Sequence, residues 1–212
     1  MGNLSCKPSL LKIQSYKINR DIDEILTVDL NKINKENTKD ELIFNFKNYT
    51  YNSTIKFNEA LNDKLLVARV VDIYDGDTIT CIINVLDNYF QFNVRLEDID
   101  TCEIKSKNFK CKIKAHEAQN CLYELISNKT NNDIFIDRND LRFLLEADVY
   151  LVNILCGTLD KYGRLLGYIF DFDDLSQDKS KSFNQILVDK KLAYLYEGKT
   201  KLTEEQQLDI LS

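Results

Sequence analysis

The chain has 212 residues, 44% of them hydrophobic, with six glycines and one proline. That is enough for one globular domain and an extension, and it excludes a collagenous or generally disordered chain. The net charge of −6 at pH 7 argues mildly against a protein that coats nucleic acid without sequence preference, since such binders carry a basic footprint. A local basic site is still allowed, because exposed charges more than a Debye length apart are screened.

The chain opens Met1-Gly2-Asn3-Leu4-Ser5-Cys6-Lys7. Loss of Met1 would expose Gly2, as N-myristoylation requires, although Cys6 stands where the acylation pattern has Ser or Thr. An ordinary start is equally compatible with these residues. Gly2 and Cys6, the latter for a thioester-linked second chain, are therefore candidate lipidation positions, and a membrane tether is the matching expectation. Residues 1–63 otherwise read as an extension without a chemical motif. Leu10–Ile13 and Ile22–Leu26 have the character of short helices, Asn31–Asp40 of a polar linker, and Leu42–Phe46 of a strand or short helix. The first thirty residues carry Arg20, Asp21, Asp23 and Glu24 and no long apolar run, so no secretory signal is expected. No stretch approaches a membrane span. The six cysteines form no C-x-x-C pair and are expected as free thiols of an intracellular, cytoplasmic protein.

From residue 65 the pattern sharpens. Leu65–Val71 is a predicted strand rich in β-branched residues, Asp75-Gly76-Asp77 a turn, Thr78–Val85 a second strand, and Tyr89–Leu96 a third. Lys114–Asn128 has helical spacing at Ala115, Ala118, Cys121, Leu122, Leu125 and Ile126. Residues near 130–147 read as an insertion with a short helix at Leu141–Leu145. Asp148–Cys156 and Arg164–Phe172 are predicted strands. Phe183–Leu187 opens a helix on a Ser182 cap, and Thr203–Leu211 opens on a Thr203-x-x-Gln206 capping box. A three-stranded meander, a helix and two further strands follow the order of a five-stranded OB-type barrel. The expected class is therefore α+β, mainly β, with flanking helices: an N-terminal extension over 1–63 and a barrel domain over 64–212.

Three motifs at strand boundaries carry the chemistry. Asp75-Gly76-Asp77-Thr78 places two carboxylates about a glycine. Arg95 sits in an apolar strand, where a guanidinium is costly unless it meets an anion, and Asp100, Thr101 and Glu103 follow. Asp160-Lys161-Tyr162-Gly163-Arg164 ends the set. Each alone is more often a turn or a solvated loop. In this order they resemble the staphylococcal nuclease (thermonuclease) family over about residues 65–197: D-G-D-T and D-K-Y-G-R are intact, and R-x-x-x-x-D-x-P-E differs only in having Cys102 for proline.

That resemblance implies a calcium-dependent nuclease acting on DNA, RNA or both, by endo- or exonucleolytic attack, and leaving 3′-phosphate ends. It implies one Ca²⁺ bound by Asp77, Asp100 and the Thr101 main-chain carbonyl, with Asp75 nearby acting through water. Glu103 would be the general base, Arg95 and Arg164 the phosphate clamps, and Lys161 and Tyr162 contacts to a neighbouring phosphate. These residue types suit phosphoryl chemistry: a hard cation takes carboxylate oxygens, a carboxylate takes a proton, and planar guanidinium forks match a phosphate. Cys102 is expected to loosen the loop holding Asp100 and Glu103. Glu97 and Asp98 are extra acids expected to face solvent, and Tyr194 and Tyr196 are the candidates for base stacking. Lys105, Lys107, Lys110, Lys112 and Lys114 read as a basic loop beside the site. His116, with Cys111 and Cys121, has no recognised zinc spacing. A monomer is expected. The rival reading is a non-catalytic OB module that binds nucleic acid or protein, but degenerate family members lose the Arg, Glu and Asp set that is complete here. A third is a lipid-anchored interaction protein whose nuclease domain is incidental.

Overall fold

A computed structural model describes residues 39–212 apart from Asn48, Asn132, Ile134 and Lys199. The helices expected at Leu10–Ile13 and Ile22–Leu26, and the positions Gly2 and Cys6, lie outside the described residues, as does most of the polar stretch Asn31–Asp40. The described residues fall into two units divided between Thr54 and Ile55. In the first, Lys39–Phe46 forms a helix, α1, so Leu42–Phe46 is helical and not extended.

The second unit is built on a closed barrel of β1 (Leu65–Asp75), β2 (Thr78–Val85), β3 (Asn88–Leu96), β5 (Tyr150–Leu159) and β6 (Leu165–Asp171), in the order β1-β2-β3-β6-β5. All neighbours are antiparallel except β3 and β6, which are parallel. The expected five-stranded barrel is therefore present, and its interior is filled by residues that alternate along the strands, among them Val70, Ile79, Cys81, Ile83, Val94, Ile154 and Ile169. β1 runs four residues past its predicted end at Val71. Bulges between Val70 and Asp72 and between Ile73 and Asp75 re-aim the strand. The charged Asp72 is buried within it because Arg138 Nε lies 3.1 Å and Arg142 2.9 Å from its Oδ2. Burial opposes the charge on Asp72, but the two guanidiniums outweigh it and hold the carboxyl below its ordinary value.

Helix α2 (Phe109–Ser127) starts five residues before the predicted Lys114, since Asn108 accepts from Lys110 N at 3.0 Å and caps it. It ends at Asn128 in the left-handed conformation, φ 54°. Lys110, Lys112 and Lys114 are therefore helical, and only Lys105 and Lys107 belong to the loop. Helix α3 (Arg138–Glu146) lies in the expected insertion, capped by Asp137, and buries Leu141 and Leu145 in the barrel's core cluster. Helices α4 (Phe183–Asp189) and α5 (Glu204–Leu211) carry the predicted Ser182 cap and Thr203–Gln206 capping box. The sequence pattern missed a two-stranded ribbon in which β4 (Ile99–Asp100) pairs antiparallel with β7 (Tyr194–Leu195). Two residues are too few to show a period, yet this ribbon fixes where Asp100 sits.

Candidate active site

The site begins with a close approach. A Cβ on Gly76 would lie 2.5 Å from Ala118 Cβ on α2 and 3.1 Å from Thr101 Cγ2, so only glycine lets the β1–β2 turn rest there. The turn sets Asp77 against Thr101. Asp77 Oδ2 accepts from Thr101 N at 3.0 Å and from Thr101 Oγ1 at 2.9 Å, and its Oδ1 accepts from Thr78 Oγ1 at 2.9 Å. Asp77 N donates to Asp75 Oδ1 at 3.1 Å. Burial, then the charge of Asp77, push the Asp75 carboxyl up to about 8.

Arg95 stands opposite Thr78 in the β2–β3 register and is 8% exposed. The anion that its burial demands is double. Its guanidinium lies 3.1 Å from Asp77 Oδ1 and 2.6 Å from Asp100 Oδ1, and also donates to the Leu96 carbonyl at 3.1 Å. Asp100 is wholly buried. Its Oδ2 accepts from Tyr194 OH at 2.5 Å, and Gln207 Nε2 donates to that hydroxyl at 3.3 Å. Burial and the bond to Asp100 raise the Tyr194 hydroxyl above its ordinary value. Tyr194 is thus a buried support for Asp100 and is not placed to stack on a base; of the two tyrosines, Tyr196 lines the open groove.

Lys201 is a site residue that the sequence reading missed. Its ammonium lies 3.1 Å from Asp100 Oδ1 and 2.7 Å from Glu103 Oε1. Burial disfavours its charge, but the hydrogen bond to Glu103 and the charge of Asp100 outweigh this and hold its pKa up. Only its sign could have hinted at this, since it reaches Asp100 through the chain's return over β7.

Asp160 organises the third motif. Its Oδ1 accepts from Tyr162 N at 2.8 Å and Arg164 N at 2.9 Å, while its Oδ2 lies 2.8 Å from Arg164 Nε. Gly163, at φ +80°, closes the turn.

Arg95, Glu103, Arg164, Asp77 and Thr101 line one cleft of about 380 Å³, with Lys201, Asp75, Tyr74 and Arg138. Asp100 does not line this cleft; it is buried and touches Arg95 and Lys201. Lys161 and Tyr162 line an adjoining groove of about 710 Å³, joined to the cleft through Arg95, Arg164 and Lys201. Cys102 is buried beside Cys111, Ala115 and Tyr194, so it packs the loop it was expected to loosen. Asp98 is exposed as expected, with Tyr168 OH donating to its carboxylate, whereas Glu97 is half-buried against Gly157.

Three carboxylates, Asp77, Asp100 and Glu103, thus face two cations, Arg95 and Lys201. Gathered oxygens of this kind suit a hard divalent ion, for which carboxylates, a carbonyl and water are the usual ligands. Among the described residues no three His, Cys, Asp or Glu side chains are spaced to hold an ion by themselves. A bound ion would therefore rest on two carboxylates completed by main chain and water, with Lys201 displaced from Asp100.

Residues 93–211 match the family model described as staphylococcal nuclease homologue. No curated protein matches the chain significantly. The matched span holds Arg95, Asp100, Glu103 and Arg164 but begins after Asp75–Thr78; the pairing of β2 with β3 brings that turn to the same cleft.

Proposed function

We propose that this chain, which belongs to the staphylococcal nuclease homologue family, is a Ca²⁺-dependent phosphodiesterase that hydrolyses DNA, RNA or both. The observation that carries the reading is the single cleft in which Asp77, Arg95, Thr101, Glu103 and Arg164 meet. One Ca²⁺ held by Asp77, Asp100 and the Thr101 carbonyl would neutralise the substrate and acidify a bound water. Glu103, exposed at the rim, takes the proton from the attacking water once Lys201 releases it. The water oxygen bonds to phosphorus, the bond from phosphorus to the 5′-oxygen breaks, and that oxygen collects a proton. Arg95 and Arg164 donate to the phosphoryl oxygens where charge builds. Lys161 and Tyr162 take a neighbouring phosphate in the adjoining groove, where Tyr196 offers a ring to a base.

Mass spectrometry of fragments from single-stranded DNA and RNA tests this. The expected fragments end in 3′-phosphate and 5′-hydroxyl; 5′-phosphate ends would place the break on the wrong side of phosphorus.

The protein is further proposed to act as an intracellular monomer. The five described cysteines are free and buried, which suits a reducing compartment. Acylation at Gly2, with Cys6 as a second position, is the proposed route to a membrane, since one myristoyl chain holds only weakly. Gly2→Ala should then move the protein from membranes to the soluble fraction of eukaryotic cells. An unmodified N-terminus in the wild-type protein from the same cells would dispose of the idea.

A further inference from the structure

A third cavity, of about 680 Å³, lies between the insertion and α2. It adjoins the catalytic cleft through Tyr74, Asp75, Glu103 and Arg138, which line both, and it shares no residue with the Lys161–Tyr162 groove. The cleft is therefore the middle of three consecutive hollows.

We propose that this third hollow, walled by Tyr74, Phe135, His116, Lys105, Lys112 and Arg138, is a subsite for the single nucleic-acid strand beyond the scissile phosphate. The proposal rests on the nuclease reading and names where that strand continues. Tyr74 and Phe135 are aromatics left 40% and 49% exposed, and an exposed ring offers a face for a base. Arg138 Cζ lies 4.6 Å and Lys105 Nζ 6.0 Å from the Tyr74 ring centroid, over the ring, so Tyr74 holds cations for phosphate and Phe135 is the face for a base. Arg138 is not neutralised by Asp72, because Arg142 binds the same carboxylate and the trio keeps one net positive charge.

Three acids, Asp75, Glu103 and Asp137, share the wall with these cations. Asp137 Oδ1 accepts from Asn139 N at 2.8 Å and caps α3, and Asp75 Oδ1 accepts from Asp77 N at 3.1 Å beside the catalytic cleft. Asp75 and Glu103 stand on the rim shared with the cleft, which leaves Lys105 and Lys112 with Asp137 in the outer wall.

His116 points to a ligand independently. Its ring packs edge-on against Phe135, with centroids 5.0 Å apart. It is 9% exposed, and its Nδ1 has no hydrogen-bond partner among the described residues. A buried polar atom left unpaired costs about 1–3 kcal/mol, and the edge of a base or a sugar hydroxyl would satisfy it. A base on Phe135, a phosphate on Lys112 or Arg138 and a hydrogen bond to His116 are one nucleotide's worth of contacts.

The test is fluorescence anisotropy with labelled oligothymidylates of three and eight nucleotides, in excess chelator so that no strand is cut. The wild type is expected to bind the octamer more tightly than the trimer by tenfold or more. Phe135→Ala should weaken octamer binding about fivefold or more, the loss of one base stack, while Phe135→Tyr keeps it. Lys112→Ser should lower the salt slope by about one. Thermal melts show that each variant is folded. Equal octamer affinity in wild type and Phe135→Ala, or equal loss in the Ala and Tyr variants, overturns the subsite. Failure of the wild type to bind any strand overturns it together with the nuclease reading. The predicted binding pattern without cleavage in Ca²⁺ supports the subsite and removes only the catalytic reading.

Discussion

Glu103→Gln and Arg164→Ala are each expected to lower turnover by about two to three orders of magnitude, by analogy with the loss of a general base or of one oxyanion donor. Glu103→Gln keeps the side chain's shape and removes its ability to take a proton. Glu103 is exposed and its ion pair is with Lys201, so the fold should not notice. Arg164 is partly exposed and paired with Asp160. After Arg164→Ala, Asp160 still accepts from the backbone N–H groups of residues 162 and 164, and the turn should hold. Both variants should still bind single strands, because the Lys161–Tyr162 groove and the lysines near α2 remain. Steady-state kinetics on a single-stranded oligonucleotide checks this. Wild-type rates in both variants would remove Glu103 and Arg164 from the chemistry, whatever the fold.

The second large effect is on stability. Arg95→Met leaves Asp77 and Asp100 buried without the guanidinium that bridges them. Removing one partner of a buried ion pair costs about 3–5 kcal/mol, which for a domain of this size lowers Tm by on the order of 10 °C. The loss should be largest in chelator. Added Ca²⁺ should restore part of it, because an ion bound only by the folded protein stabilises it by mass action and replaces the missing positive charge. Calorimetric melts of wild type and Arg95→Met, each with chelator and with Ca²⁺, measure both quantities. An unchanged Tm for Arg95→Met in chelator would mean that Lys201 alone suffices for the carboxylates; no recovery in Ca²⁺ would argue against an ion between them.

Much of this site was legible because its residues break the pattern of the elements that hold them. Arg95 is a charge in an apolar strand, and its burial between two carboxylates follows from that conflict. Gly76 stands at a turn where a Cβ would strike a helix. The same logic misled at Asp72, which ended the predicted β1 early: an aspartate in a strand reads as a stop unless a distant arginine pair is known to reach it. Lysines hid the first turn of α2: Lys110, Lys112 and Lys114 interrupt it, and its large apolar residue, Phe109, is 67% exposed and off the buried face.

What could not be read depends on tertiary return. Tyr194 and Tyr196 are equivalent in sequence, and only the β4–β7 ribbon sends one onto Asp100 and leaves the other in the groove. Lys201 belongs to the site because α5 and the segment before it fold back over Glu103. Arg138 lines the cleft because Leu141 and Leu145 dock the insertion on the barrel, a contact that no local pattern announces.

The most direct measurement of the central claim is single-stranded cleavage followed while Ca²⁺ is titrated into metal-free protein and then withdrawn with chelator. The account predicts no cleavage at the start, a rate that rises and saturates with Ca²⁺, and a return to zero in chelator. Full activity in excess chelator, or none at saturating Ca²⁺ on single- and double-stranded DNA and RNA alike, would contradict it.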